Sequence, residues 1–313
     1  MVFLWFLFCC FGLQTIRALQ CSWNYRFDAT DNHFNIVYPD KNAVYFGMIV
    51  PPRTKQFSVF SATHPRGTYF SIQIYEQGGA KMHYNDLELL SDDGGGYNLT
   101  VGLQSNISHF ALFRIYEPRI DYWGASYPQT RVDNTLYPLC DIDYSQQGNI
   151  YTNLTYGQYN DTQTVCIQNE AFLFMDVPAG SLTNADANYM IACIQPSTTY
   201  RISVQMPTIM CHNREPEYDL RYASISLVST SAPRPTVWTN AIGCSQTVFQ
   251  MDFTTDNSIP FPAFLYRQLL PSPDFAYSIA AAKTKCFDYV ENRYDDKCIQ
   301  RVMGSYYPKI ELL

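Results

Sequence analysis

Arg114 and Asp121 stand seven residues apart, and Arg267 and Asp274 repeat that spacing, each aspartate following a proline three residues back. A strand followed by a proline-directed reversal brings such an aspartate back beside its arginine. Two uses are open: a structural ion pair clasping strand to turn, or an arginine that holds an anionic ligand. Paired carboxylates offer a second chemistry. Glycoside hydrolysis needs two of them facing each other across a cleft. Glu76, Asp92, Asp93, Glu117, Asp121 and Asp274 supply the groups, but spacing along the chain does not supply their separation in space. Aromatic rings offer a third. Trp123 and Tyr127 lie at one Tyr-Pro turn and Tyr306 and Tyr307 at another. Exposed rings stack on sugars, and buried ones simply pack. The other catalytic signatures do not occur in the sequence. It holds no His-Glu-x-x-His, no Cys-x-x-Cys and no Gly-x-Ser-x-Gly. The five histidines, His33, His64, His83, His109 and His212, have no partner at ligand spacing. The expectation is no metal and no cofactor.

The elements that must position these residues recur. An offset of 153, the distance from Arg114 to Arg267, also superposes Leu112 on Leu265, Pro118 on Pro271 and Asp121 on Asp274. It lays Tyr69-Phe70-Ser71-Ile72 on Tyr222-Ala223-Ser224-Ile225. One offset over two separated motifs is the mark of internal duplication. In both copies apolar residues alternate with Ser or Gln, the period of a half-buried strand. Leu112–Tyr116 is apolar on both faces, so it reads as a strand buried on both sides, with Arg114 taken out of water.

Charged residues make up only 16% of the chain, while 25 Tyr and 20 Phe enrich it in aromatics. That balance suits pleated, half-buried surfaces. A formal charge of −7 argues against nucleic acid and anionic membrane surfaces as partners. Residues 1–18 read as a secretory signal peptide, and no stretch is long enough for a membrane span. Two of the ten cysteines fall inside that leader. The others, Cys21, Cys140, Cys166, Cys193, Cys211, Cys244, Cys286 and Cys298, form an even set that an exported chain pairs as disulfides. Asn98, Asn106, Asn153 and Asn160 open Asn-x-Ser/Thr glycosylation sequons.

The resulting expectation is a mainly β protein of two tandem jelly-roll-like β-sandwich modules, with a short helical insert in the second. The first repeat covers 19–136, a Tyr/Asn-rich linker 137–170 and the second repeat 171–313, the insert occupying 273–302. Ser272-Pro273-Asp274 reads as a helix start. Cys286, Val290, Tyr294 and Cys298 recur at helical spacing.

The motifs YPDKNAVYF (38–46), YFSIQIYE (69–76), LFRIYEP (112–118), GSLTNADANYMIA (180–192), YDLRYASISL (218–227), FLYRQLLPSPDF (264–275) and MGSYYPKI (303–310) follow one another in this order. Together they resemble a family of exported two-repeat proteins of actinobacteria and microbial eukaryotes. No activity is attached to that family, so the resemblance implies export and repetition but carries over no catalytic residue. Two function classes remain. One is a secreted, disulfide-bonded, non-catalytic binding or surface protein at the cell surface or outside the cell, its partner an extracellular glycan or a surface protein. The other is a carbohydrate-active enzyme working through the paired carboxylates.

Overall fold

The computed structural model describes residues 21–27, 39–65, 67–76, 79–89, 95–104, 106–117, 127–140, 171–175, 184–210, 218–230 and 236–313. The chain is mainly β, in two compact units. One unit comprises Met1–Phe27 with Tyr45–Ile150, and the other Asp28–Val44 with Tyr151–Leu313. The turn before the second strand thus groups with the second unit.

In the first unit, β1 (Tyr25–Phe27), β2 (Ala43–Val50), β4 (Tyr69–Glu76), β5 (Gly79–Asn85) and β7 (His109–Tyr116) form one sheet in the order β1-β2-β7-β4-β5. The other sheet joins β3 (Gln56–Ser61), β6 (Tyr97–Gly102), β8 (Gln129–Val132) and β9 (Thr135–Tyr137) in the order β6-β3-β8-β9. Each run forms a strand for a local reason. Residues of β6 alternate buried and exposed because its apolar side chains recur with period two. Val132 and Thr135 are joined by Asp133 and Asn134, with φ of 46° and 67°. Asp and Asn tolerate that left-handed backbone, which makes the tight hairpin of β8 and β9. A four-residue helix, α1 (Asp86–Leu89), is capped by Asn85: its Oδ1 accepts from the Leu87 N–H at 3.0 Å, and Glu88 Oε2 accepts from the Asn85 N–H at 2.9 Å. Between the sheets, Phe70 of β4 meets Tyr97 of β6 with ring centroids 5.5 Å apart.

The second unit has the same strand order in its larger sheet. β10 (Leu173–Phe174), β11 (Ala187–Cys193), β13 (Leu220–Ser229), β14 (Thr236–Ala241) and β16 (Pro262–Pro271) run β10-β11-β16-β13-β14. The smaller sheet is β15-β12-β19, from β12 (Thr199–Gln205), β15 (Val248–Thr254) and β19 (Lys309–Leu312). Their facing sides share one core, in which Ile202, Val204 and Phe249 meet Met190, Ile225, Phe264 and Tyr266. Ser71 lies opposite Arg114 in the first unit and Ser224 opposite Arg267 in the second. The offset of 153 therefore preserves cross-strand register as well as sequence. Backbone geometry follows it too, since Glu117 and Leu270, at equivalent strand ends, both have positive φ, 47° and 42°.

Two expectations about the insert are corrected. Ser272-Pro273-Asp274 is a turn, closed by the Phe275 N–H donating to the Ser272 carbonyl at 2.9 Å. The helix begins only at α2 (Ile279–Lys285), where Ser278 Oγ accepts from the Ala281 N–H at 3.0 Å. Gln268 of β16 holds that start, its Oε1 accepting from the Ile279 N–H at 2.8 Å. The four-residue spacing from Cys286 to Cys298 is not one helix. Cys286 caps α2, the hairpin of β17 (Phe287–Asp288) and β18 (Arg293–Tyr294) follows, and Cys298 lies in α3 (Asp296–Met303). A disulfide between Cys286 and Cys298 closes the excursion.

Candidate functional site

The repeated arginines sit where the strands put them, in the middle of β7 and β16, and both are buried at 2% exposure. Burying a guanidinium is costly unless its donors are satisfied. In the second unit the partner is Asp40, itself 0% exposed. Arg267 Nη1 donates to Asp40 Oδ2, and the same oxygen accepts from Tyr222 Oη at 2.9 Å and Ser224 Oγ at 2.7 Å. Asp40 Oδ1 accepts from the Asn42 N–H at 2.8 Å, which fixes the turn that delivers it. Tyr189, opposite Arg267 on β11, places its ring centroid 5.4 Å from the guanidinium carbon. Burial first, and then the Asp40 carboxylate, push the Tyr222 phenol well above its ordinary value, so it remains a donor.

The expected Arg267–Asp274 pair is thereby overturned. Asp274 is exposed, and its N–H turns back to Ser272 Oγ at 3.4 Å. The proline reversal directs the chain outward here and does not return it to the sheet. Asp121, the expected partner of Arg114, lies outside the described residues. Arg114 Nη1 donates to Gln73 Oε1 at 2.8 Å and Nη2 to the Tyr75 hydroxyl, whose ring centroid is 5.7 Å from the guanidinium carbon. Burial acts to lower its pKa, and the phenols of Tyr75, Tyr116 and Tyr69 outweigh it, so the guanidinium stays charged.

The alternating Ser residues hold a further surprise. Half-buried strands were expected, yet Ser71, Gln73, Ser224 and Ser226 are all buried. In the second unit the hydroxyls are bonded, Ser224 to Asp40 and Ser226 Oγ to Thr239 Oγ1 at 2.9 Å. Asp40 itself was not singled out from sequence. A signal was present: Asp40 and Asn184 open equivalent turns before β2 and β11. Asn42 donates its N–H to Asp40 Oδ1 at 2.8 Å, and Asp186 to Asn184 Oδ1 at 3.2 Å. A short acceptor side chain two residues before the next amide marks both.

Of the six candidate carboxylates for acid/base work, Glu76 and Glu117 are separately engaged. His109 Nε2 lies 2.8 Å from Glu76 Oε1, and Lys81 Nζ donates to Glu76 Oε2 at 2.9 Å. Glu117 Oε2 accepts from Thr68 Oγ1 at 2.6 Å. Asp92 and Asp93 lie outside the described residues, in which no group of three or more His, Cys, Asp or Glu could hold a metal. The Lys81 bond, against an opposing burial effect and with help from His109, holds Glu76 below its ordinary carboxylate value. A depressed folded-state pKa contributes stability above the unfolded value, about 4.3 for Glu, and loses it as pH falls through the folded value. Stability should therefore decline more steeply with acid below about pH 5 in the wild type than in Glu76→Gln. Urea midpoints across that range read the difference, and parallel declines would reject the coupling.

Of the aromatic candidates, Tyr127 packs edge-on against Phe46 with centroids 5.0 Å apart. Tyr307 donates its hydroxyl to the Phe172 carbonyl at 2.7 Å and packs against the core of the second unit. Tyr306 belongs to a surface group. Its ring stands 5.2 Å from Phe275 and 5.7 Å from Tyr277, and Tyr277 is 51% exposed. Trp123 lies outside the described residues. Cys21–Cys140 and Cys286–Cys298 are disulfides, and Cys193 and Cys244 are also disulfide-bonded. Cys166 and Cys211 lie outside the described residues, as do Asn153 and Asn160. Asn98 and Asn106 are exposed. No helix among the described residues is long and apolar enough to cross a membrane.

No family model matches the chain, and no curated protein does. Its fold is similar to that of an uncharacterised protein from Burkholderia cenocepacia: TM-score 0.54 at 8% identity, covering 95% of this chain and 83% of that one. A protein from Vibrio parahaemolyticus aligns with TM-score 0.45 at 7% identity, over 88% of this chain and 90% of that one. The tandem carbohydrate-binding modules of a Streptococcus pneumoniae glycoside hydrolase align with TM-score 0.19 at 11% identity, over 72% and 76%. The Burkholderia likeness is one of fold alone. It agrees with the mainly β architecture and says nothing of chemistry.

Proposed function

We propose that this chain is an exported, disulfide-braced, non-catalytic binding or surface protein, and that the aromatic group of Phe275, Tyr277 and Tyr306 stacks on an extracellular glycan. The observation that carries this reading is the half-exposed Tyr277 held beside Tyr306 on a buried Phe275. A ring kept partly in water and braced by neighbours loses little freedom when a sugar face covers it. Export is supported by the apolar leader and by the disulfides. The resemblance to exported two-repeat proteins, and the equal strand order of the two larger sheets, fit a duplicated module.

The test is retention of the full chain on a glycan array, run beside a hydrolysis screen on the same sugars. Tyr277→Ala and Tyr306→Ala should each weaken binding about 3- to 10-fold, and Tyr277→Ala should leave the melting temperature nearly unchanged. Undiminished binding in both variants removes this surface from the reading. Sugar release abolished by Glu76→Gln or Glu117→Gln replaces it with the enzyme.

A further inference from the structure

Among the described residues, β6 ends its sheet, paired with β3 alone, and α1 packs near it. An edge strand invites pairing with other chains, and proteins blunt it with charge, twist or cover. The outer strand β15 of the second unit carries charge: Asp252 accepts from Nε and Nη2 of Arg201 on β12, each at 2.7 Å. The outward residues of β6 are Asn98, Thr100 and Gly102, none of them charged. They also spell the sequon Asn98-Leu99-Thr100, with Leu99 turned into the core. Directly across the ladder from Asn98 stands Phe60. Its ring is half-buried, and the Arg131 guanidinium carbon lies 4.3 Å from the centroid. Outward cross-strand neighbours start about 5 Å apart at Cβ, so a sugar joined to Asn98 begins beside that ring.

We infer that Asn98 carries an N-linked glycan whose first sugar lies on Phe60 and shields the edge of β6. The inference rests on the export reading, since the modification is made in the secretory route. Asn98 Nδ2 forms a bond to C1 of an oligosaccharide carried on an isoprenoid diphosphate. The C1–O bond breaks, the diphosphate leaves with its electron pair, and the amide proton passes to the transferase's base. Transfer precedes folding, so the Thr100 Oγ1 contact with Ser58 Oγ at 2.9 Å in the folded strand does not oppose it.

The full chain with its own N-terminus is expressed in a eukaryotic secretory host, recovered from the medium and mapped by peptide mass. The Asn98 peptide should carry sugar that an N-glycan amidase removes, leaving Asp at that position. Removal should lower the melting temperature by about 2–4 °C in the wild type and by less than half as much in Phe60→Ala. An unmodified Asn98 overturns the inference, and an equal loss in both proteins overturns the packing on Phe60. If nothing reaches the medium, the leader reading has failed, and the same mapping behind a proven leader still decides Asn98.

Discussion

Arg267→Met is expected to destabilise the second unit by about 3–5 kcal/mol, because it leaves the Asp40 carboxylate buried without its cation. Asp40→Asn is expected to cost a similar amount, stranding the guanidinium between β11 and β13. The double variant should recover at least about 1 kcal/mol relative to the sum of the two, since neither charge then remains to be solvated. Urea unfolding of the three proteins, followed by near-ultraviolet circular dichroism, supplies the cycle. Additive losses would show that the two groups do not act as a pair, despite their shared partners Tyr222 and Ser224. Tyr222→Phe is the milder probe. It removes one side-chain donor to Asp40 Oδ2 and should cost less than either charge deletion.

Phe113→Ala is expected to cost about 3–5 kcal/mol through the cavity it opens in the first unit. Phe113 is fully buried and joins three other rings, with centroids 5.7 Å from Trp23, 6.3 Å from Phe46 and 6.1 Å from Phe70. Trp23 is fixed independently by its Nε1 donating to the Pro128 carbonyl at 2.6 Å, so it is poorly placed to collapse into the space. Hydrogen exchange along β4 and β7 should accelerate, because those strands lose packing on a face they share. Tyr289→Ala, at a ring 85% exposed, should change stability by no more than about 0.5 kcal/mol. Comparable losses in the two variants would mean that the Phe113 cluster does not dominate this core.

What the sequence determined by itself was whatever repeats over a short span. The alternation in Tyr69–Glu76 marks a strand, and β4 has those same bounds. The offset of 153 placed Arg114 and Arg267 at matching positions, and register followed because a slip of one residue would turn every apolar side chain to the wrong face. The even set of cysteines announced disulfides, of which Cys21–Cys140 spans 119 residues. Tertiary structure decided the partners. Asp40 lies 227 residues from Arg267, and no local period links them. Asp274 was near in sequence but exposed, since the turn at Ser272 leads the chain out to α2. The same reason explains the false helix between Cys286 and Cys298: a disulfide closing a hairpin and a helix cap can reproduce a four-residue spacing without a helix between them. The Ser residues on the second face of β13 looked like a solvent side. They are buried because a carboxylate delivered from far along the chain needs donors, and only the assembled sheet presents Tyr222, Ser224 and Arg267 to one oxygen.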